Sequence, residues 1–223
     1  MKTKDPVNKN TLEALEQDGT QELGLMNNAV WAGDPRRLVF TLARYKFVAK
    51  MFEGKGSVLE VGCGDGFGSR IVKQSVQKLT ITDYDELFIK DFLSKNKNKK
   101  WPIEAVMHDI LAGPMNHKYS AAYTLDVLEH IPQAEEGIFI ENICKSLDEH
   151  GVLILGMPSL ESQSYASPQS IDGHINCKSG EDLAALMKKY FHNVFLFSMN
   201  DEVVHTGYSK MAHYILTVCV NPK

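Results

Sequence analysis

Apolar residues recur at helical spacing in some stretches of this chain and crowd into short runs in others. Leu38, Leu42, Tyr45, Ala49 and Phe52 lie three or four positions apart behind Asp34-Pro35, which reads as an N-cap followed by proline in the first helical turn; Gly54 ends the segment. A strand follows at Ser57 to Val61, then a helix to about Gln74, a strand at Lys78 to Thr82 and a helix at Glu86 to Lys95. Ile103 to Met107 and Tyr119 to Thr124 are further strands. Ala134 to Leu147 is amphipathic, with Ile140, Ile143, Cys144 and Leu147 on one face. Gly151 to Met157 is almost continuously apolar, as suits a strand covered on both sides. Ser179-Gly180-Glu181-Asp182 is a capping signal, and Leu183, Leu186, Met187 and Tyr190 form the stripe behind it. Val194 to Met199 and Ala212 to Val220 close the chain as strands.

Strands alternating with helices predict an α/β fold with a mostly parallel sheet and right-handed crossovers. The last two strands have no helix between them and are expected to form an antiparallel hairpin. Residues 1–30 are polar and weakly patterned, with a short helix at Thr11 to Gln17, and read as an N-terminal arm or lid; residues 31–223 read as a single domain. The stretch 158–178 lacks a pattern and follows the fifth strand. It is expected to cover the crevice at the strand ends, where open α/β sheets bind ligands.

The first strand enters Glu60-Val61-Gly62-Cys63-Gly64-Asp65-Gly66, an E-x-G-x-G-x-G turn that leads through Phe67 and Gly68 into a helix. The dinucleotide fingerprint would need its third glycine where Phe67 stands, or Ser69 if counted from Gly64. A phosphate cradle also wants bare N–H groups and positive potential. Glu60 and Asp65 place carboxylates there and favour a cationic ligand. Asp83 ends the second strand about 20 residues beyond Gly62, where such folds place an acid for ribose hydroxyls. Asp85 is the alternative if the strand runs further, and Tyr84 between them could stack on adenine or ribose.

On these residues the chain resembles the class I S-adenosylmethionine-dependent methyltransferases, in particular their small-molecule branch, over roughly residues 35–220. The resemblance implies a Rossmann-like seven-stranded sheet with helices on both faces, S-adenosylmethionine as cofactor and S-adenosylhomocysteine as product. It implies that the cofactor meets the glycine turn (Glu60, Gly62, Cys63, Gly64, Asp65, Gly66) together with Asp83 and Tyr84. Asp109 would meet the adenine amino group and Ile110 would wall the base. Leu125 and Asp126, which open the motif Leu125-Asp126-Val127-Leu128-Glu129-His130-Ile131-Pro132, would line the methionine part. Arg44 or Tyr45, on the helix before the motif, would meet the methionine carboxylate. Trp31, Arg36, Asn176 and Tyr208 are the candidates for contacts to the acceptor.

His130 and His174 are the candidate catalytic residues. His130 could take a proton from an acceptor hydroxyl or pack the helix start against the glycine loop; His174, in Gly173-His174-Ile175-Asn176, could act as base or orient the substrate. The expected reaction is methyl transfer to an oxygen or nitrogen of a small molecule by in-line displacement, with oxygen slightly preferred because histidines flank the pocket. The alternatives are a cofactor-binding protein without activity, a methyltransferase acting on protein or RNA, and a nicotinamide oxidoreductase.

Composition narrows this further. With 223 residues, 43% hydrophobic and 23% charged, the chain suits an ordinary globular domain. A net charge of −4 argues against a nucleic-acid partner, and the basic run Lys95 to Lys100 reads as a solvated helix end. Cys63, Cys144, Cys177 and Cys219 lack metal or redox spacing; three of them stand in apolar or packed contexts and read as core thiols, and a reducing cytoplasm is the expected setting. No apolar run is long enough to span a bilayer. No Asn-Pro-Pro-Tyr-like segment follows the fourth strand, and neither a Pro-Cys dipeptide nor a catechol-type trio of acids and amides occurs, so no metal is expected. The partner is expected to be the small-molecule acceptor, with the oligomeric state left open.

Overall fold

A computed structural model describes residues 2–96 and 101–223, so most of the basic run beyond Asn96 lies outside the described residues. The elements in chain order are α1 (Lys9–Asp18), α2 (Leu25–Gly33), α3 (Arg36–Met51), β1 (Ser57–Val61), α4 (Ser69–Lys73), β2 (Lys78–Asp83), α5 (Glu86–Lys95), β3 (Glu104–Met107), β4 (Tyr119–Leu125), α6 (Glu136–Lys145), β5 (Leu147–Pro158), α7 (Pro168–Gly173), α8 (Gly180–Met187), β6 (Phe191–Asn200), β7 (Val203–His205) and β8 (Tyr214–Pro222). They build one sheet in the order β3-β2-β1-β4-β5-β8-β6-β7. The first five strands in that order run parallel, and β8 inserts antiparallel between β5 and β6. The strand order reverses between β1 and β4, which opens a crevice at their carboxyl ends, as in other doubly wound sheets.

Helices cover both faces because the strands alternate between two apolar sets. Leu59, Val61 and Leu153 pack with Phe139, Ile140 and Ile143 of α6 and with Leu183 and Met187 of α8. Val58, Ile81 and Ile154 pack with Val48 and Phe52 of the α3 segment, Val72 of α4 and Ile89 and Phe92 of α5. Among the described residues, no helix is long and apolar enough to cross a membrane.

The structure departs from the sequence pattern in four places. Among the described residues there are eight strands, not seven: β7 is a three-residue edge strand paired with the end of β6, inside the segment expected to be a turn. Three residues are too few to show a period, and Asp201 makes the reversal at φ 50°, a left-handed conformation that aspartate tolerates. The stretch 158–178 is not structureless. It holds a 3-10 turn at Glu161–Tyr165 and then α7, which is capped by Ser167 and begins with Pro168. Asp34 does not cap α3; it is the C-cap of α2, and Pro35 precedes α3. Finally, α2 stands within and just beyond the stretch expected to be a weakly patterned arm. Carboxylates from elsewhere in the chain satisfy its first-turn N–H groups: Asp91 accepts from Leu25 at 3.1 Å and Asp65 from Asn27 at 2.8 Å.

Glu60 fastens these layers together. It lies on the Val58 face of β1, is 2% exposed, and accepts hydrogen bonds from Tyr45 of α3 (3.0 Å), Tyr123 of β4 (2.6 Å) and Ser69 of α4 (2.5 Å). Burial raises its pKa to about 7 from 4.5, while the three hydroxyls pull in the other direction. The fold therefore favours the protonated form. The stabilising contribution is complete below about pH 4.5 and is lost as pH rises through about 7, with an amplitude on the order of 3 kcal/mol. Glu60→Gln should abolish this component: the difference in urea-unfolding free energy between wild type and variant should change between pH 4.5 and 8, and a difference constant with pH would contradict the assignment. Gly66, at φ 65°, would bring an added Cβ within 2.5 Å of Phe92, so Gly66→Ala should lower stability by about 2 kcal/mol or more, read as a shift of the urea midpoint.

Candidate active site

A cavity of about 840 Å³ lies at the carboxyl ends of β1, β2 and β4. It is walled by the glycine loop, by the ends of these strands, by residues of α2 and α3, and by the segment between β5 and α8. Its size suits a ligand the size of a nucleoside with an acceptor beside it.

The glycine loop uses its backbone donors internally. Gly62 and Cys63 both donate to the Thr82 carbonyl at 2.9 Å, Gly64 donates to Asp83 Oδ2 at 2.9 Å, Gly66 to the Cys63 carbonyl at 3.0 Å and Phe67 to Asp65 at 3.2 Å. Gly62, at φ 76°, lies so close to Val127 that a Cβ would come within 2.3 Å of it. The loop is thus bound back to β2 and packed against the turn after β4.

The two acids of the loop do not act as the sequence suggested. Glu60 is sequestered beneath it in the hydroxyl cluster and is outside the cavity lining. Asp65 reaches the lining, but its carboxylate accepts from the backbone and side-chain nitrogens of Asn27, at 2.8 and 2.6 Å. The acid left facing the cavity at this end is Asp83. Its oxygens accept one backbone N–H each, from Gly64 and Asp85, and burial raises its pKa. Exposed Tyr84 lies beside it, and Asp109 and Ile110 follow at the end of β3. Asp85, the alternative acid, caps α5 instead.

At the other end, Asp126 sits at φ 58° on the turn after β4 and accepts from Arg44 Nη1 through both oxygens, at 2.9 and 2.7 Å. The Arg44 guanidinium lies 3.7 Å over the Tyr214 ring. Of Arg44 and Tyr45, given as alternatives on α3, both turn inward: Arg44 into the cavity, and Tyr45 to Glu60 and the cavity wall.

A 3-10 turn at Leu128–His130 presents Glu129 and His130. Glu129 is fully buried, and neither carboxyl oxygen has a hydrogen-bond partner; burial, followed by the charge of Asp126, raises its pKa well above the usual range. His130 Nδ1 donates to the Gly173 carbonyl at 2.8 Å, and His174 Nδ1 donates to Gln163 Oε1 at 2.9 Å. The two imidazoles meet edge to face with centroids 5.2 Å apart. Burial lowers the pKa of His174, with His130 adding to the shift.

Gly62, Cys63, Gly64, Asp65, Asp83, Tyr84, Asp109, Ile110, Leu125, Asp126, Arg44, His130 and His174 therefore share one cavity. Gly66 is not on its lining and instead packs against Phe92. The four residues expected at the acceptor lie elsewhere. Trp31 and Tyr208 are exposed away from the cavity, and Arg36 pairs with Asp34 on the surface. Asn176 is buried, donating to Glu136 at 3.0 Å. The sequence reading assigned no contact to Arg37, Thr41, Glu129, Gln163 or Ser170, which do line the cavity. Arg37 and Thr41 could have been found by stepping along the face of α3 from Arg44, since they stand seven and three residues before it.

Comparison with known proteins bears on this arrangement. No curated protein sequence matches the chain. Among solved structures, the N-methyltransferase NodS from Bradyrhizobium japonicum WM9, in complex with S-adenosylhomocysteine, is 18% identical with a TM-score of 0.66, covering 96% of this chain and 100% of its own. Magnesium protoporphyrin IX methyltransferase from Synechocystis PCC 6803 gives 15% identity and a TM-score of 0.59, with 96% and 95% coverage. DhpI gives 13% identity and 0.63, with 98% and 99% coverage. These likenesses establish the fold. The sequence model for the methyltransferase domain matches residues 34–191, most of the chain and all of β1 to α8 with the cavity they frame, and the chain belongs to that family of methyltransferases.

Proposed function

We propose that the chain transfers a methyl group from S-adenosylmethionine to an oxygen or nitrogen of a small metabolite, with oxygen slightly preferred. The observation that carries this reading is the state of the glycine loop. The amides of Gly62, Cys63, Gly64, Gly66 and Phe67 are bound to Thr82, Asp83, Cys63 and Asp65, and the Asp83 carboxylate beside them lines the cavity. Such a site has acceptors to offer and few donors, which fits ribose hydroxyls and disfavours a diphosphate. S-adenosylmethionine, when bound, supplies an electrophilic methyl group on a sulfonium sulfur.

Asp83 would hold the ribose, Tyr84 would lie against the adenine, and Asp109 and Ile110 would meet its edge and face. Leu125, Asp126 and Arg44 would surround the amino-acid end, where the guanidinium matches a carboxylate and Asp126 an ammonium. The acceptor would lie between His130, His174 and Gln163. The N-terminal region, through α2, and the 158–178 segment both contribute to the walls, so together they would act as the lid over a metabolite-sized acceptor and exclude water from the reacting atoms. The histidines favour a hydroxyl acceptor, which needs a proton taken or polarised, over an amine, which does not.

Asp83→Ala should weaken S-adenosylhomocysteine binding at least about tenfold by isothermal titration calorimetry, the scale of losing charge-assisted hydrogen bonds. NAD should give no heat with either protein. Unchanged affinity in the variant, or NAD binding to the wild type, would overturn the reading.

A further inference from the structure

The cluster Glu129, His130 and His174 has the composition and placement of a metal centre. One donor atom from each residue lies within 4.8 Å of the others, close to the mutual spacing of ligands around one ion. Glu129 is fully buried with both carboxyl oxygens unpartnered, although it stands on the cavity lining. A carboxyl left so is costly in either protonation state, whereas a cation would satisfy it. Both imidazoles are also oriented by second partners. A carbonyl oxygen only accepts, so His130 and His174 carry their protons on Nδ1, toward Gly173 and Gln163, and keep the lone pair on Nε2. Metal-ligating histidines are held in this way. Nearby Asp126 is engaged by Arg44, which leaves Glu129 as the free carboxylate of the cluster.

We infer that Glu129, His130 and His174 bind a divalent transition-metal ion at the acceptor end of the cavity. Two imidazoles and one carboxylate suit the ions from Mn²⁺ to Zn²⁺ better than Ca²⁺ or Mg²⁺, which prefer oxygen ligands throughout. Three protein ligands leave coordination positions open toward the cavity. An acceptor hydroxyl bound there would be oriented and made more acidic without a separate base. This deepens the reading above at its acceptor end, and depends on that reading for the ion's role but not for its binding. The sequence search for a metal looked for acids and amides. It could not see this set, because His174 joins Glu129 and His130 only through the covering segment.

Tag-free full-length chain would be dialysed against Mn²⁺ or Zn²⁺ alone, with bound metal measured by mass spectrometry and Mn²⁺ followed by electron paramagnetic resonance. Wild type should take up a single ion per chain. Glu129→Gln and, on the less buried loop, His174→Asn should each weaken binding by about tenfold to a hundredfold. No ion on the wild type, or wild-type affinity in both variants, would overturn the inference. Titration of the wild type with S-adenosylhomocysteine reads the cofactor end separately. Cofactor binding without metal would remove only this inference, and metal binding without cofactor would remove only the proposed function.

Discussion

A carboxyl group buried under a glycine loop is the constraint on which this structure turns. Glu60 stands at the end of β1, where the chain must leave the sheet and re-enter a helix, and it gathers hydroxyls from α3, α4 and β4. Each of these elements also lends a boundary to the cavity or to the loop above it. A typical hydrogen bond contributes about 0.5–1.5 kcal/mol net, so three converging on one group hold the layers in a fixed relation. The preference of the buried site for the protonated form is the cost of that arrangement.

Above this anchor the cavity divides by chemistry. At the β2 end, polar groups are paired and settled: the loop amides bond to their own neighbours, and Asp83 accepts from the Gly64 amide of the loop and from that of Asp85. At the β4 end the opposite holds. Asp126 stands in the left-handed region, Arg44 lies over an aromatic ring, and Glu129 has no partner for either oxygen among the described residues. The two halves of the cavity thus differ in how fully their polar groups are satisfied. The family assignment fits this division, since a methyltransferase must hold a donor firmly and present it to a variable acceptor.

Much of this was legible in the sequence, for reasons that can be named. The helix Glu86–Lys95 and the strand Ser57–Val61 were read with their observed boundaries, because each carries a capping or glycine signal at its ends. The glycine turn and Asp83 were found because local geometry dictates their spacing. What escaped depends on distant partners. Helix α2 begins on carboxylates that lie far along the chain, β7 exists only through its pairing with β6, and Arg37 rather than Arg36 faces the cavity because α3 is rotated by its packing. The sequence-based electrostatic argument also reached the anion-averse site by a partly mistaken path. Glu60 and Asp65 were to repel a diphosphate directly, yet both spend their oxygens on protein donors, and it is the internal bonding of the Gly62, Cys63, Gly64, Gly66 and Phe67 amides that leaves the loop poor in donors for a phosphate.

Asp65 carries a consequence for turnover. It clasps Asn27 through both oxygens and so ties the helix that forms one cavity wall to the loop that forms another. Anything that departs by way of α2 must first undo that clasp. Two charge-assisted bonds represent a few kcal/mol, and every 1.4 kcal/mol slows escape about tenfold. The clasp thus couples any opening of that wall to the loop at the end of β1.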